Sequence, residues 1–457
     1  MPTSPPDLPG GASANDSPLD RALSLMLAEE REAALRWSAA VVEQEEAVPS
    51  ALILTCRLLA DFGRTEAATE GFRLGLERAI DSGNLPLAVA AIADLRKLGI
   101  KVEEEMDAVA AAFCSTSPRL TESVAPPPPL PTFQKFQPLS SFLTGPALLS
   151  KATQIVHQSK NRYEGNRDGA AEALIAPLPL FSALEKDGLR ALITAFEMIT
   201  VPAGKHVIEQ GEEGAEAYIV ARGELEVRRE SEESDDGPAS TMTLARLTNG
   251  ALFGEMALLS RAPRAASVVA CRPSILLVAR RDALEAVAEQ RPDVGIELAA
   301  HCRRRMVANL VRTSPILITV DPTERPALVE RFETKVYEKG EKVITEGRQT
   351  DGLHLIASGE VAIVGHEGGE PFVISTLGVG DVVGEVALVL RRKANADVVA
   401  VHPTVTLFLP RDEFVSLIRD HPAILQSLYL LAVMRDEETS SVMSVSSVNV
   451  AEDYVLV

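Results

Sequence analysis

Residues 201–227, VPAGKHVIEQGEEGAEAYIVARGELEV, are matched further along the chain by residues 336–363, VYEKGEKVITEGRQTDGLHLIASGEVAI. Gly204, Gly211 and Gly223 of the first stretch correspond to Gly340, Gly347 and Gly359 of the second, each pair 136 residues apart. Beyond that point Glu255 and Glu385, Asp282 and Asp412, and Pro292 and Pro422 are 130 apart. The change places a six-residue length difference between two strands, where the first copy carries the acidic hairpin tip SEESDDGPAS at 231–240. Apolar and polar residues alternate between glycines spaced as tight turns between short strands require. Asp282 and Asp412 precede ALEAVAEQ and EFVSLIRD, where helix N-caps are wanted. The fold class that follows is multidomain, with two tandem eight-stranded β jelly-roll barrels and flanking helices.

Ahead of the barrels the pattern is helical, giving an N-terminal all-α, repeat-like domain. Leu54, Leu58 and Phe62 recur at four-residue steps until Gly63-Arg64-Thr65 breaks them; Ala68, Phe72, Leu76 and Ile80 follow until Gly83-Asn84. These helix pairs loosely resemble tetratricopeptide arrays, without a clean repeat of roughly 34 residues, and a plain helical bundle is the other reading. The expected organisation is a disordered stretch at 1–17, helices at 18–114 and a linker with short helices at 115–177. The first barrel with its helices follows at 178–312, the second at 313–435, and a tail at 436–457. The run Pro126-Pro127-Pro128-Pro129-Leu130-Pro131 reads as a semi-rigid spacer that sets the reach of the helices while making few contacts.

The 457 residues suit about three domains at roughly 150 residues each. Forty-five basic against 65 acidic side chains give a net charge of −20, which argues against nucleic acid and anionic membrane as partners. No apolar run is long enough to span a bilayer, the N-terminus lacks the marks of a signal peptide, and four scattered cysteines form no CxxC pair, so a cytoplasmic protein is expected.

Between the sixth and seventh strands of the first barrel stands FGEMALLSRAPRAASV, residues 253–268. It closely resembles the phosphate-binding cassette of cyclic nucleotide-binding domains, as found in the bacterial catabolite activator and in protein kinase A regulatory subunits. Over 178 to about 430 the chain resembles that family. A buried phosphodiester anion needs a guanidinium that stays charged and donates in parallel, a role for Arg264. It also needs amides at the start of a short helix after Gly254. Glu255 suits a ribose 2′-hydroxyl, and Gly254, Ala257, Ala265 and Ala266 let the backbone come close. The resemblance implies that Glu255 takes the ribose while Arg264, with the amides of Ala257 and Ala265, takes the phosphate; Ser267 completes the set. It also implies cyclic AMP over cyclic GMP, because the residue after the arginine is Ala265.

The second copy, VGEVALVLRRKANADV at 383–398, keeps Gly384-Glu385 but has Ala394 in place of the arginine and Asp397 in place of Ser267. A carboxylate there would repel an anion, so this barrel is expected to bind no nucleotide. No catalytic signature and no metal-ligand cluster stands out, and Arg303-Arg304-Arg305 reads as a solvated helix face. The expected function is a non-catalytic sensor of cyclic nucleotide with an unidentified protein partner on its helical region. The alternative is a scaffold whose barrels bind no nucleotide.

Overall fold

In the computed structural model the chain is described at residues 17–44, 48–122, 136–167, 173–231, 240–259, 262–314, 330–367 and 370–452, with isolated positions from 317 to 328. The proline run, most of the acidic hairpin tip and residues 1–16 lie outside the described residues. Six helices open the chain: α1 (Pro18–Leu27), α2 (Arg31–Gln44), α3 (Pro49–Asp61), α4 (Thr65–Asp81), α5 (Leu85–Lys97) and α6 (Glu103–Phe113). The breaks read at Gly63 and Gly83 are the turns that end α3 and α4. Where short helices were expected, α7 (Gly145–Arg167) is a single helix of 23 residues. Its Leu148, Ala152, Ile155 and Val156 recur at three- and four-residue steps and are fully buried against α2, α3 and α4, which makes it part of the helical module.

Barrel one follows α8 (Lys186–Thr194). Its strands are β1 (Phe196–Val201), β2 (His206–Ile208), β3 (Glu216–Arg222), β4 (Leu225–Ser231), β5 (Ser240–Leu247), β6 (Leu252–Phe253), β7 (Ser267–Ala270) and β8 (Ser274–Arg280). They form sheets in the orders β1-β8-β3-β6 and β2-β7-β4-β5. Barrel two has β9 (Glu333–Tyr337), β10 (Lys342–Ile344), β11 (Gly352–Ser358), β12 (Val361–Glu367), β13 (Glu370–Leu377), β14 (Val382–Val383), β15 (Asp397–Ala400) and β16 (Thr404–Pro410). Its sheets, β9-β16-β11-β14 and β10-β15-β12-β13, repeat the first topology strand for strand. Eight residues separate β4 from β5 and two separate β12 from β13, which is the six-residue difference read from the sequence. The paired Gly223 and Gly359 both have positive φ, and a Cβ on either would press within 3 Å of the neighbouring strand, at Ser274 or Thr404. Only glycine suits both demands at once.

The remaining helices are α9 (Met256–Leu259), α10 (Arg281–Gln290), α11 (Pro292–Thr313), α12 (Glu385–Val389), α13 (Arg411–Asp420) and α14 (Pro422–Glu452). The expected caps are corrected here. Strands β8 and β16 run directly into α10 and α13, so Arg280 and Pro410, in extended geometry, occupy the N-cap positions. Asp282 and Asp412 fall in the first helical turns, where a carboxylate still favours the helix dipole. The tail read at 436–457 is instead helical to Glu452, as the continuation of α14.

Two compact units result. One comprises Met1–Ile208, Ala217–Phe253 and Ser267–Leu298; the other comprises Glu209–Glu216, Gly254–Ala266 and Ala299–Val457. Within the first unit the helical module packs directly on barrel one, rather than hanging from a spacer. The Asp20 carboxylate, 2% exposed, bonds Arg222 of β3 at 2.5 Å and lies 3.6 Å from Arg272. Ser17 and Asp20 also form a reciprocal capping box at the start of α1. Arg57 of α3 pairs with Asp94 of α5 at 2.6 Å and touches Met198 of β1. Asp107 of α6 pairs with Lys186 and Arg190 of α8. Ser17→Ala removes one half of the capping box and should destabilise this unit by about 1 kcal/mol, measurable by chemical denaturation.

Candidate functional site

The loop 209–216 and the cassette 254–266 belong to the same compact unit, and Arg264 joins them. Its amide donates to the Glu212 carbonyl at 2.8 Å, and its carbonyl accepts from the Gly211 amide at 2.9 Å. The guanidinium is nearly buried. Nη1 donates to the Gly254 carbonyl at 3.0 Å and Nη2 to the Glu216 carbonyl at 2.9 Å, with the Glu216 carboxylate 3.5 Å away. Gly214 makes room for it: a Cβ there would lie 2.4 Å from Nη2. A cation fixed by two carbonyls and one carboxylate keeps its plane and its charge, as recognition of a buried oxyanion demands.

Glu255 follows Gly254 into α9. The residue is 3% exposed, and its carboxylate accepts from Nε of Arg305 on α11 at 3.2 Å. Cys302, one turn earlier on α11, donates its thiol to the Glu255 carbonyl at 3.7 Å. Burial first, then the Glu255 charge, pushes that thiol up to about 12, so it stays protonated and donates. The Ala257 amide donates to the Gly254 carbonyl at 3.2 Å, closing the turn. Ala265 is exposed, Ala266 is half-buried, and Ser267 is the buried first residue of β7, in register with Arg228 of β4. Gly254, Glu255, Ala257 and Arg264 are thus brought together on one turn and its clasp.

Barrel two keeps the clasp without the cation. The Ala394 amide donates to the Arg348 carbonyl, and Gly347 donates back, each at 2.9 Å. Thr350 stands where the repeat places Gly214, and Gly352 where it places Glu216, so the space, the carboxylate and the guanidinium are replaced together. Glu385 is 2% exposed and accepts from Arg435 of α14 at 2.8 Å. Burial, more than the opposing Arg435 charge and hydrogen bond, holds the Glu385 carboxyl above the usual carboxylate range. Arg305 and Arg435 are 130 residues apart, as Glu255 and Glu385 are.

The role expected of Asp397 is corrected. Its carboxylate accepts from Lys342 at 2.6 Å and from the Glu346 amide at 2.8 Å, with His366 3.6 Å away. Burial pulls Asp397 upward, but those hydrogen bonds and the Lys342 charge outweigh it and leave the group below its ordinary value. It is spent on the neighbouring strand and loop and is not among the side chains lining the cavity of barrel two.

Sequence reading missed Gly214, Glu216, Arg305 and Arg435. The repeat contained the signal for the arginines, since extending the 130-residue offset past Pro292 and Pro422 aligns them. The run Arg303-Arg304-Arg305 hid it by looking like a solvated face. Arg303 does hold to that reading in part, pairing at the surface with Thr334 and the Phe332 carbonyl.

The cyclic nucleotide-binding domain is the family whose model matches residues 198–291 and 334–421, one stretch in each barrel. Among curated proteins the chain is similar to regulatory subunits of cAMP-dependent protein kinase. It is 32% identical over 240 residues to that of Yarrowia lipolytica, covering 52% of this chain and 58% of the relative. It is 30% identical over 228 residues to the type II regulatory subunit of Drosophila melanogaster, covering 50% and 56%. The chain thus spans little more than half the length of the curated relatives it matches. Among solved structures it is similar to the regulatory domain of Toxoplasma gondii PKA with cAMP, at 25% identity and a TM-score of 0.28, covering 56% of this chain and 92% of that one. Among the described residues no helix is long and apolar enough to cross a membrane, and no cluster of three or more His, Cys, Asp or Glu side chains could hold a metal ion.

Proposed function

We propose that this chain is a non-catalytic regulator that binds cyclic AMP, and cyclic GMP less well, in barrel one. The observation that carries the reading is Arg264, a nearly buried guanidinium held in one plane by the carbonyls of Gly254 and Glu216 on the turn that presents Glu255. The protein's overall charge repels an anionic ligand, so capture rests on this local cation. Glu255 accepts from the ribose hydroxyl, and Arg264 donates to the phosphate. A ligand shifts a conformational equilibrium only through contacts that differ between its states. The Glu255–Arg305 pair supplies such a difference, because a ribose hydroxyl donating to Glu255 competes with Arg305 and so acts on α11. The names of the relatives make a protein kinase catalytic subunit the first partner to test, and the helical module is the surface we assign to a protein partner.

Calorimetric titration of the chain with cyclic AMP and cyclic GMP tests the reading. One cyclic AMP per chain is expected. A ratio of two would mean that barrel two also accepts a phosphodiester, and no binding would leave the scaffold reading in its place. Hydrogen exchange with and without cyclic AMP should show changed protection at 283–313; changes confined to 253–268 would mean binding without switching.

A further inference from the structure

Barrel two contains a cavity of its own beside the Gly384-Glu385 turn. Its apolar wall is Ile344, Ile363, Leu377, Val383 and Val398; Glu385 and Ser375 face it from the barrel, and Arg435, Glu438 and Thr439 from α14. Ala394 packs against the apolar cluster in the place of a guanidinium. The charged side chains lining the cavity are two carboxylates, Glu385 and Glu438, and one guanidinium, Arg435. That guanidinium is already bonded to Glu385 and to the Val382 carbonyl, and it lies 3.6 Å from Asp381. A phosphate entering here would give up its hydration to meet the net negative charge of these side chains.

A ribose has no such difficulty. Glu385 occupies the place of Glu255 in the repeat, on the same Gly-Glu turn and with the same arginine behind it, and a carboxylate accepts from hydroxyls whether or not a phosphate is attached. We propose that barrel two takes an uncharged nucleoside, a ribose on an aromatic base with no phosphate. Its hydroxyls donate to Glu385 and its base lies on the wall formed by Ile344, Ile363 and Val398. The inference rests on the reading of Glu255 as the ribose acceptor in barrel one. As its side chains stand, the cavity is about 60 Å³, room for a few water molecules. A nucleoside therefore enters by moving the α14 side chains Arg435 and Glu438, neither of which belongs to the barrel.

The test uses the full chain carrying Arg264→Ala, titrated with adenosine, guanosine and cyclic AMP by calorimetry and ligand-observed NMR. One adenosine or guanosine per chain is expected, with the affinity of the unmodified chain, and cyclic AMP should bind at least tenfold more weakly. Ser375→Phe fills the cavity from β13 without removing a charge and should weaken the nucleoside at least tenfold. In a chain retaining Arg264 it should leave cyclic AMP binding unchanged, which also reports that the variant folds. Ala394→Arg combined with Thr350→Gly rebuilds the barrel-one arrangement and should reverse the preference toward cyclic AMP. The proposal is overturned by absence of saturable nucleoside binding at millimolar concentration, by nucleoside binding that survives Ser375→Phe, by binding lost with Arg264→Ala, or by cyclic AMP matching adenosine in the Arg264→Ala chain. If the unmodified chain fails to bind cyclic AMP, the barrel-one reading falls, and the nucleoside titration of the Arg264→Ala chain still decides this one separately.

Discussion

Arg264→Ala should cut cyclic AMP affinity by roughly 30-fold to several-thousand-fold, the equivalent of about 2–5 kcal/mol. The loss is large because the alanine leaves a buried phosphate without its charge partner, and also frees the Gly254 and Glu216 carbonyls that the guanidinium holds. Arg264→Lys keeps the charge but cannot reach both carbonyls and a phosphate from one plane, so it should fall between the two. Calorimetry on folded variants decides the matter. Affinity unchanged in Arg264→Ala would remove the site from barrel one.

The second large effect lies far from the cassette. Arg57→Ala strands Asp94 in the seam between α3 and α5, and should destabilise the first unit by about 3–5 kcal/mol at neutral pH. Burial already holds the Asp94 carboxyl above its usual range, outweighing the Arg57 charge and hydrogen bond. Removing that cation raises it further. An acid whose folded value lies above its unfolded value favours the folded state as pH falls, and that contribution is lost as pH rises through the folded value. The deficit of the variant should therefore shrink between pH 7 and pH 5. Urea unfolding at the two pH values measures it, and a deficit independent of pH would show that Asp94 is not the cause.

The barrels were legible because glycine positions are tied to turn geometry, and two copies of the same turns cannot easily arise otherwise. The cassette was legible for a related reason: Gly254, Glu255 and Arg264 are types that few other local roles require together at that spacing. The caps were misplaced because nothing in the residues around Asp282 shows that β8 runs without a break into α10. The reach of α14 was hidden by its composition, since SSVMSVSSVNV is poor in helix-formers; its anchors are Ile424, Leu428 and Ala432, buried in the earlier turns. The docking of the helical module on barrel one was illegible for a different reason. It depends on pairs such as Asp20 with Arg222, whose partners carry no local pattern linking them.

That pair also has a consequence in time. Asp20 and Arg222 are separated by 202 residues, and at about 5–20 residues per second a ribosome needs about 10–40 s to add the second after the first. Throughout that interval α1 can pack on α2, but its carboxylate has no Arg222 to receive it, so the tie to barrel one forms later than the packing within the helical module. A nascent chain stopped short of Arg222 would carry α1 packed on α2 but without its tie to β3, whose arrival times that last contact.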